Sequence, residues 1–308
     1  MSKTRADAWF HVMALATILA WGVTFVSTKV LLDHGLTPAE IMLYRFLIAY
    51  LLILVPTFRR PRATLRHPRA RSLRDELLFL ALGVSGGSLY FLAENVALEY
   101  TLTSNVAVLV CTAPLFTLLL SRIFLKDERP ATGAWRGSLV AMAGVVLVVF
   151  NGNFVLRVEP VGDLLAILAA VSWGFYTIIL RELDRRYDIL FITRKVFFYG
   201  LLTLLPVFFF APPRLDASLL LSPTVAWNLL FLGVIASFIC YVLWNRAIRQ
   251  LGAVRVSNYI YLNPVVTLVT SAIVLSERVT PLAITGMFLI LGGVYLIEKR
   301  ATGAITRA

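Results

Sequence analysis

Apolar residues fill ten long stretches of this chain, and polar connections separate each stretch from the next. Each stretch runs for roughly 17 to 25 residues, a length that crosses the hydrocarbon core of a membrane as a helix. A helix suits lipid because it satisfies its backbone hydrogen bonds within the segment. We therefore predict an all-α membrane protein with ten transmembrane helices, at residues 8–32, 38–58, 77–98, 103–125, 131–150, 162–181, 189–211, 224–247, 253–275 and 281–298.

The pattern repeats itself at an offset of about 150 residues. The matched positions are Trp21-Gly22 with Trp173-Gly174, Asn95 with Asn245, Pro114 with Pro264, Leu125 with Leu275, Glu128 with Glu277, and Gly144 with Gly293. Each copy holds five stretches, an odd number, so the second copy must enter the membrane from the opposite face. We expect two inverted five-helix repeats, residues 1–152 and 153–308, with a central cavity at their interface, which is typical of transporters.

Composition and charge agree with this topology. The chain is 59% hydrophobic and 15% charged, which leaves too few polar groups to cover a soluble globule. Its net charge of +12 does not indicate a nucleic-acid partner, because Lys and Arg fall almost wholly in alternate connections. This bias follows the positive-inside rule and predicts that both termini face the cytoplasm.

Polar and aromatic side chains gather at middle depth in several stretches, where lipid would penalise the polar ones. Trp21 and Trp173 lie too deep for an interfacial belt. Buried rings can sandwich a planar or apolar substrate and face a cation, while Asn and Tyr groups orient its polar end. The candidate substrate-binding residues are Trp21, Thr24, Tyr90, Glu94, Trp173, Tyr176, Tyr241, Trp244, Asn258, Tyr261 and Asn263.

Glu94 is the acidic residue that lies clearly inside a stretch, away from its ends. A carboxyl group in the membrane is a functional candidate by default, and coupling to protons is one such function. The alternative is a structural pairing with Arg45 or Lys29, which lie toward the same outer side. The sequence leaves both interpretations open.

Pro114 and Pro264 lie near the middle of the fourth and ninth stretches. Each proline removes a backbone donor and pushes away the carbonyl four residues earlier, so each helix should bend there. A tolerated kink is one explanation, since proline is common in membrane helices. The matched placement in both copies favours a functional hinge.

The sequence contains no constellation typical of an enzyme or a metal site. No stretch contains a pair of carboxylates, no Ser-His-Asp set shares one depth, and no phosphate-binding glycine loop precedes a lysine. The His residues are scattered, and Cys111 and Cys240 lie inside apolar stretches. We therefore predict neither a metal site nor a cofactor.

Three short runs in each copy carry a family resemblance. The first copy reads Asn95-Val96-Ala97-Leu98-Glu99-Tyr100-Thr101, then Ala113-Pro114-Leu115-Phe116 and Leu125-Lys126-Asp127-Glu128-Arg129. The second reads Asn245-Arg246-Ala247-Ile248, then Leu262-Asn263-Pro264-Val265 and Leu275-Ser276-Glu277-Arg278. With the repeated Trp-Gly, the chain resembles an EamA-type member of the drug/metabolite transporter superfamily. The resemblance implies two inverted five-helix repeats, a cavity formed by stretches one, three, four, six, eight and nine, and alternating-access transport of small metabolites.

Members similar to this chain include amino acid exporters, and the aromatic-rich middle layer favours such substrates. The expected function is therefore export of small metabolites, amino acids including aromatic ones, across a bacterial inner membrane. The alternatives are a carrier of drug-like cations, an intramembrane enzyme, and a carrier of sugars or nucleotide-sugars, for which Lys29 and Arg45 lie too near the outer side to meet a phosphate. The sequence is compatible with a monomer and with a homodimer.

Overall fold

The structure is a computed structural model, and it describes residues 3–59, 70–101, 103–125, 133–150, 159–213, 216–274 and 279–305. These ranges contain helices and no strand. In chain order the helices are α1 (Lys3–Asp33), α2 (Pro38–Arg59), α3 (Leu73–Tyr100), α4 in two pieces (Thr103–Val110 and Ala113–Phe124), α5 (Ala134–Phe150), α6 (Pro160–Asp184), α7 (Ile189–Leu204), α8 (Pro223–Leu251), α9 in three pieces (Ala253–Ser257, Asn258–Leu262 and Asn263–Val274) and α10 (Pro281–Ile305). Two short helices, Val207–Phe210 and Ala217–Leu221, lie between α7 and α8.

The helices have the lengths and the surface of a membrane protein. Among the described residues, seven helical stretches are long and apolar enough to cross a membrane, and two shorter apolar helices lie in α5 and α10. Large apolar side chains such as Phe209, Phe210 and Phe288 are exposed on the outside, where lipid would cover them. The prediction of an all-helical membrane protein is confirmed.

The predicted stretches at 103–125 and 253–275 are not single regular helices. α4 is interrupted at residues 111–112, and α9 winds as a 3₁₀-helix over Asn258–Leu262. Each interruption ends just before a repeated proline, because Pro114 and Pro264 are the second residues of the helical pieces that follow. Proline fits the first turn of a helix, where its missing N–H has no intrahelical acceptor. Both predicted bends thus coincide with helix interruptions.

α3 and α8 each contain a π-helical segment, at Val84–Ser88 and Phe231–Ile239. The two segments occupy matching places in the two halves of the chain, at the same offset of about 150 residues as the sequence repeat. A π-helix bonds each carbonyl to the N–H five residues on, and such segments are frequent at functional sites. The sequence pattern gave no indication of them.

Helices from both halves share one core. The largest group of buried apolar side chains joins residues of α1, α2, α3, α6, α7, α8 and α9 with residues of the remaining helices. Backbones approach most closely where α5 crosses α10: a Cβ atom on Gly144 would lie 2.5 Å from the Gly286 carbonyl oxygen, so only glycine fits. The two halves are therefore packed together over a common interior.

Some features of the sequence pattern lie outside the described residues. They are the repeat landmarks Glu128, Leu275 and Glu277, the connection at residues 151–153 and most of the Arg-rich connection at residues 60–69.

Candidate functional site

Six of the residues expected to bind substrate form one continuous group of rings, which we call the aromatic cluster: Trp21, Tyr90, Trp173, Tyr176, Tyr241 and Trp244. Trp21 on α1 lies at its centre, with ring centroids 5.4 Å from Trp173, 4.9 Å from Trp244 and 6.1 Å from Tyr241. The first half of the chain supplies Trp21, and the second half supplies its three neighbours. The structure therefore brings the repeated tryptophans together, as the sequence predicted.

The remaining rings extend the aromatic cluster through Trp173. Its centroid lies 5.0 Å from that of Tyr90 and 4.9 Å from that of Tyr176. Tilted and edge-to-face pairs at these distances are favourable beyond the area that they bury. Trp173, Tyr176, Tyr241 and Trp244 are buried, whereas Trp21 and Tyr90 are half-buried. Rings from the two halves therefore pack against one another.

The glycine after each repeated tryptophan explains the Trp-Gly pair. A Cβ atom on Gly22 would lie 2.7 Å from Val266 of α9, and one on Gly174 would lie 3.2 Å from Phe116 of α4. Val266 and Phe116 occupy matching places in the two copies, each two residues after a repeated proline. The tryptophan thus joins the aromatic cluster while the glycine lets an interrupted helix of the other half pack closely.

The polar tips of two rings bond to the π-helical segments. Trp21 donates from Nε1 to the carbonyl oxygen of Ala236 at 3.0 Å, and the Tyr241 hydroxyl donates to that of Gly86 at 2.6 Å. Each bond joins the first half of the chain to the second. The π-helical segments therefore supply backbone acceptors to the aromatic cluster.

Tyr176 is fixed by Asn245, one of the two repeated asparagines. The Tyr176 hydroxyl donates to Asn245 Oδ1 at 2.6 Å, and Asn245 Nδ2 donates to Thr193 Oγ1 at 3.0 Å. All three side chains are buried. The asparagine that identified the repeat thus holds a ring of the aromatic cluster in place, a role that we did not predict.

Two indole N–H groups of the aromatic cluster have no acceptor among the described residues. Trp173 and Trp244 are 4% and 0% exposed, and neither Nε1 atom has a hydrogen-bond partner within the described part of the chain. An unpaired buried donor costs about 1–3 kcal/mol, so such groups call for an explanation. Both donors are available to an acceptor on a bound ligand.

Two opposite charges lie beside the aromatic cluster. The Glu94 carboxylate accepts from the Tyr90 hydroxyl at 3.0 Å, and Arg45 Nε donates to Ser237 Oγ at 3.0 Å. The Arg45 guanidinium lies 4.2 Å from the centroid of Phe91. Glu94 and Arg45 are within electrostatic range of one another, yet no ion pair joins them in the described ranges. The expected structural pairing with Arg45 is therefore not formed as a direct contact.

Arg45 is a buried charged residue that the sequence did not assign to the candidate site. The sequence predicts that Arg45 lies too near the outer side of the membrane to meet a phosphate, and the structure buries its side chain inside the protein, against Phe91 and Ser237. Arg45 stands seven residues into α2, about 10 Å along the helix from Pro38.

Four predicted site residues lie apart from the ring contacts of the aromatic cluster. Thr24 bonds its own helix, from Oγ1 to the Trp21 carbonyl at 2.7 Å. Asn258 bonds Val254 of α9 at 2.8 Å and accepts from Ser138 of α5 at 3.4 Å. Tyr261 packs in the same buried group as the cluster, but no ring pair within the described residues joins it to the six rings. The Asn263 backbone lies near Gly22.

The two helix interruptions before the prolines meet each other. Cys111, in the gap of α4, lies with its Sγ 4.0 Å from the carbonyl oxygen of Ile260, in the 3₁₀ piece of α9. A sulfur donor at that distance forms a weak hydrogen bond. A short distance along the same helices, Ser257 Oγ donates to Thr117 Oγ1 at 3.1 Å. The irregular parts of both halves thus touch beside the aromatic cluster.

Known proteins resemble this chain over its whole length. A "Probable terminal-alkyne amino-acid exporter" of Streptantibioticus cattleyicolor is 29% identical over 306 residues, covering 98% of this chain and 96% of its own. A "Probable amino-acid metabolite efflux pump" of Escherichia coli is 27% identical, with coverages of 92% and 93%. An "Uncharacterized transporter" of Archaeoglobus fulgidus is 28% identical, with coverages of 94% and 97%.

A protein of known crystal structure shares the fold, with a TM-score of 0.74 at 18% identity, over 96% of this chain and 99% of that one. The model of the EamA-like transporter family matches residues 8–150 and again residues 160–298. The two matches cover most of the chain and fall one in each half. The chain therefore belongs to the EamA-like transporter family of the drug/metabolite transporter superfamily, whose members are membrane transporters and not enzymes.

Proposed function

We propose that this protein exports amino acids, aromatic ones among them, across a bacterial inner membrane by alternating access around the aromatic cluster. In this proposal ten transmembrane helices form two inverted five-helix repeats, residues 1–152 and 153–308, and both termini lie in the cytoplasm. The substrate binds at middle depth, between the repeats, and the repeats rock about it.

The observation that carries the proposal is the contact between the repeated tryptophans. Trp21 and Trp173 come from different halves of the chain, and their ring centroids lie 5.4 Å apart. Rings that belong to two moving bodies can part to admit a substrate and close behind it. Pro114 and Pro264 stand at the helix interruptions next to the aromatic cluster, and we assign them the role of hinges.

The chemistry of the aromatic cluster favours an amphipathic substrate. The clustered rings bind an apolar or aromatic side chain, Glu94 attracts an ammonium group, and the unpaired N–H groups of Trp173 and Trp244 can donate to a carboxylate. Two relatives are named for amino-acid export, which agrees with this choice. Drug-like cations are the second candidate, because a carboxylate among aromatic rings also suits a lone cation.

Counterflow in liposomes tests the substrate. We expect purified protein to exchange labelled Phe and Trp, and to a lesser extent Thr, but neither a nucleotide-sugar nor a quaternary ammonium dye. Exchange of the dye without any amino acid would select the second candidate. Exchange of the nucleotide-sugar alone would overturn both.

The assigned residues are tested in the same assay. Trp21→Ala and Trp173→Ala should each lower Phe exchange at least about tenfold, since a base or ring stacked on an aromatic side chain is worth about 1–3 kcal/mol. Trp227→Ala is the matched control, because Trp227 is 72% exposed on the outer surface. Unchanged exchange in both test variants would remove the aromatic cluster from the transport path.

Accessibility labelling tests the inverted topology. Single cysteines at positions 64 and 218, in a background without Cys111 and Cys240, should react with a membrane-impermeant reagent from opposite sides of the membrane. Labelling from the same side would contradict the two inverted repeats.

A further inference from the structure

Arg45 and Glu94 are two buried charges that the described contacts satisfy only in part. They are 4% and 7% exposed. A guanidinium has five N–H donors, and the structure gives Arg45 one hydrogen bond, from Nε to Ser237, within the described ranges. Glu94 accepts one hydrogen bond, from Tyr90, although a carboxylate has about four acceptor positions.

Two other buried carboxylates of this chain are paired directly with arginines. Asp75, which is 2% exposed, lies 2.5 Å from Arg186 and also accepts from the Tyr187 hydroxyl at 2.6 Å. Asp184, which is 1% exposed, lies 3.1 Å from Arg181. Buried charges without such a partner are costly, and those kept within a membrane are functional candidates. Arg45 and Glu94 therefore differ in kind from the structural pairs.

The positions of the two charges are related through α3. Arg45 lies over the ring of Phe91, and Glu94 follows Phe91 by three residues, on the same face of the helix. Three residues rise about 4.5 Å along a helix. A molecule that carries both an ammonium and a carboxylate on one carbon atom is small enough to reach both charges.

The same segment of α8 links Arg45 to the aromatic cluster. Ser237 accepts the hydrogen bond from Arg45, and its neighbour Ala236 accepts that from Trp21. The Arg45 guanidinium lies over the Phe91 ring, and Phe91 also contacts Tyr90, with ring centroids 4.9 Å apart. The charges thus lie at one edge of the rings that the proposed function assigns to the substrate side chain.

We propose that Arg45 and Glu94 recognise the backbone of an α-amino acid: the Arg45 guanidinium binds the substrate carboxylate, and the Glu94 carboxylate binds its ammonium group. This inference rests on the proposed function and narrows the substrate class to zwitterions. A lone cation meets repulsion from Arg45, and a lone anion meets repulsion from Glu94. The side chain of the substrate then lies on the aromatic cluster.

Three competing compounds distinguish the role of Arg45 from the role of Glu94. Phenylalanine carries both groups, phenylalaninamide lacks the carboxylate, and 3-phenylpropionate lacks the ammonium group. Each unlabelled compound competes against labelled phenylalanine counterflow in liposomes that contain the full chain. For the wild-type protein we expect phenylalanine to compete at concentrations about 10- to 100-fold lower than either analogue, the usual effect of losing a hydrogen bond to a charged group.

In Arg45→Gln, phenylalanine should need a concentration about 10- to 100-fold higher to compete, while the competing concentration of phenylalaninamide should change by less than about threefold. The ratio of the two competing concentrations should then approach one. Glu94→Gln should weaken the competition by phenylalanine and by phenylalaninamide together. Competition by 3-phenylpropionate should not weaken, because the variant removes the charge that repels a lone anion. Arg45→Lys keeps the charge but loses the planar fork, so it should restore part of the preference for phenylalanine. It also replaces Arg45→Gln if that variant does not fold.

Arg194→Gln is the matched control, because Arg194 also lies over a phenylalanine ring, 5.2 Å from the centroid of Phe191, away from the aromatic cluster. It should leave all three probes unchanged. If Arg45→Gln weakens the competition by phenylalanine and by phenylalaninamide by the same factor, Arg45 is structural and the inference fails. If phenylalanine and phenylalaninamide compete at equal concentrations for the wild-type protein, the inference fails while the proposal of amino-acid transport stands. If the wild-type protein exchanges no amino acid, the proposed function fails first.

Discussion

The two Trp-Gly pairs are equivalent in sequence and unequal in structure. Trp21 donates its indole N–H to Ala236, whereas the N–H of Trp173 has no acceptor in the described part of the chain. The matching acceptor for Trp173 is the carbonyl of Gly86, which lies about 150 residues before Ala236. That carbonyl already accepts from the Tyr241 hydroxyl.

One difference between the copies explains this inequality. The position that matches Tyr241 in the first copy is Phe91, which has no hydroxyl group and leaves the Ala236 carbonyl to Trp21. The position that matches Glu94 in the second copy is Trp244. The first copy therefore contributes the charges and the second copy contributes uncharged rings. A repeat that keeps its fold can thus differ between its copies in the side chains that it places at their interface.

The largest expected difference between the two pairs concerns their glycines. Gly22→Ala should destabilise the protein by about 1–3 kcal/mol, because the new Cβ would lie 2.7 Å from Val266 Cγ1 and 3.0 Å from its Cβ. Gly174→Ala should cost less than about 1 kcal/mol, since its nearest contacts are 3.2 Å away and include the mobile end of Leu120. Denaturant unfolding in detergent micelles measures both.

A second substitution tests whether the loss of stability in Gly22→Ala comes from the clash with Val266. Val266→Ala in the Gly22→Ala background should recover part of the lost stability, because it removes the atom nearest the new Cβ. The two substitutions would then be strongly non-additive. Simple additivity would show that Gly22 acts through something other than its contact with α9.

A smaller difference is expected from the indole groups. Trp21→Phe and Trp173→Phe remove similar ring area, but only the first breaks a described hydrogen bond and leaves the Ala236 carbonyl without its donor. Trp21→Phe should therefore be less stable than Trp173→Phe by about 1 kcal/mol. The same unfolding measurement compares them. Equal losses would mean that the bond from Trp21 to Ala236 contributes nothing net.

Sequence reasoning found the rings of the site because their position could be read from helix length. Trp21, Trp173 and Tyr241 lie many residues from the ends of apolar stretches, and depth in a membrane follows directly from the residue count. The repeat then indicated that rings from both copies would face one interface. No knowledge of local backbone geometry was needed for either step.

Local geometry is where the sequence was insufficient. Middle depth alone predicts Asn258 as a binding residue. Its hydrogen bonds to Val254 and Ser138, and the 3₁₀ piece of α9 that begins with it, do not follow from a residue count. The π-helical segments are equally invisible to hydropathy over so few residues. Tertiary contacts accompany them: a Cβ on Gly86 would lie 2.1 Å from the Tyr176 ring.

The smallest effect is expected from Tyr241→Phe, which makes the second copy like the first at this position. The substitution removes the hydrogen bond from Tyr241 to the Gly86 carbonyl. That carbonyl can then accept from the N–H of Trp173, just as the Ala236 carbonyl accepts from Trp21. The loss should therefore stay below about 0.5 kcal/mol, less than an ordinary buried hydrogen bond contributes. With Trp173→Phe also present no replacement donor exists, so the double variant should lose about 1 kcal/mol more than the two single losses add up to. Additive losses in this cycle would mean that Trp173 does not donate to the Gly86 carbonyl when Tyr241 is absent. The backbone, and not the presence of Tyr241 in place of Phe91, would then explain why Trp21 has an acceptor and Trp173 has none among the described residues.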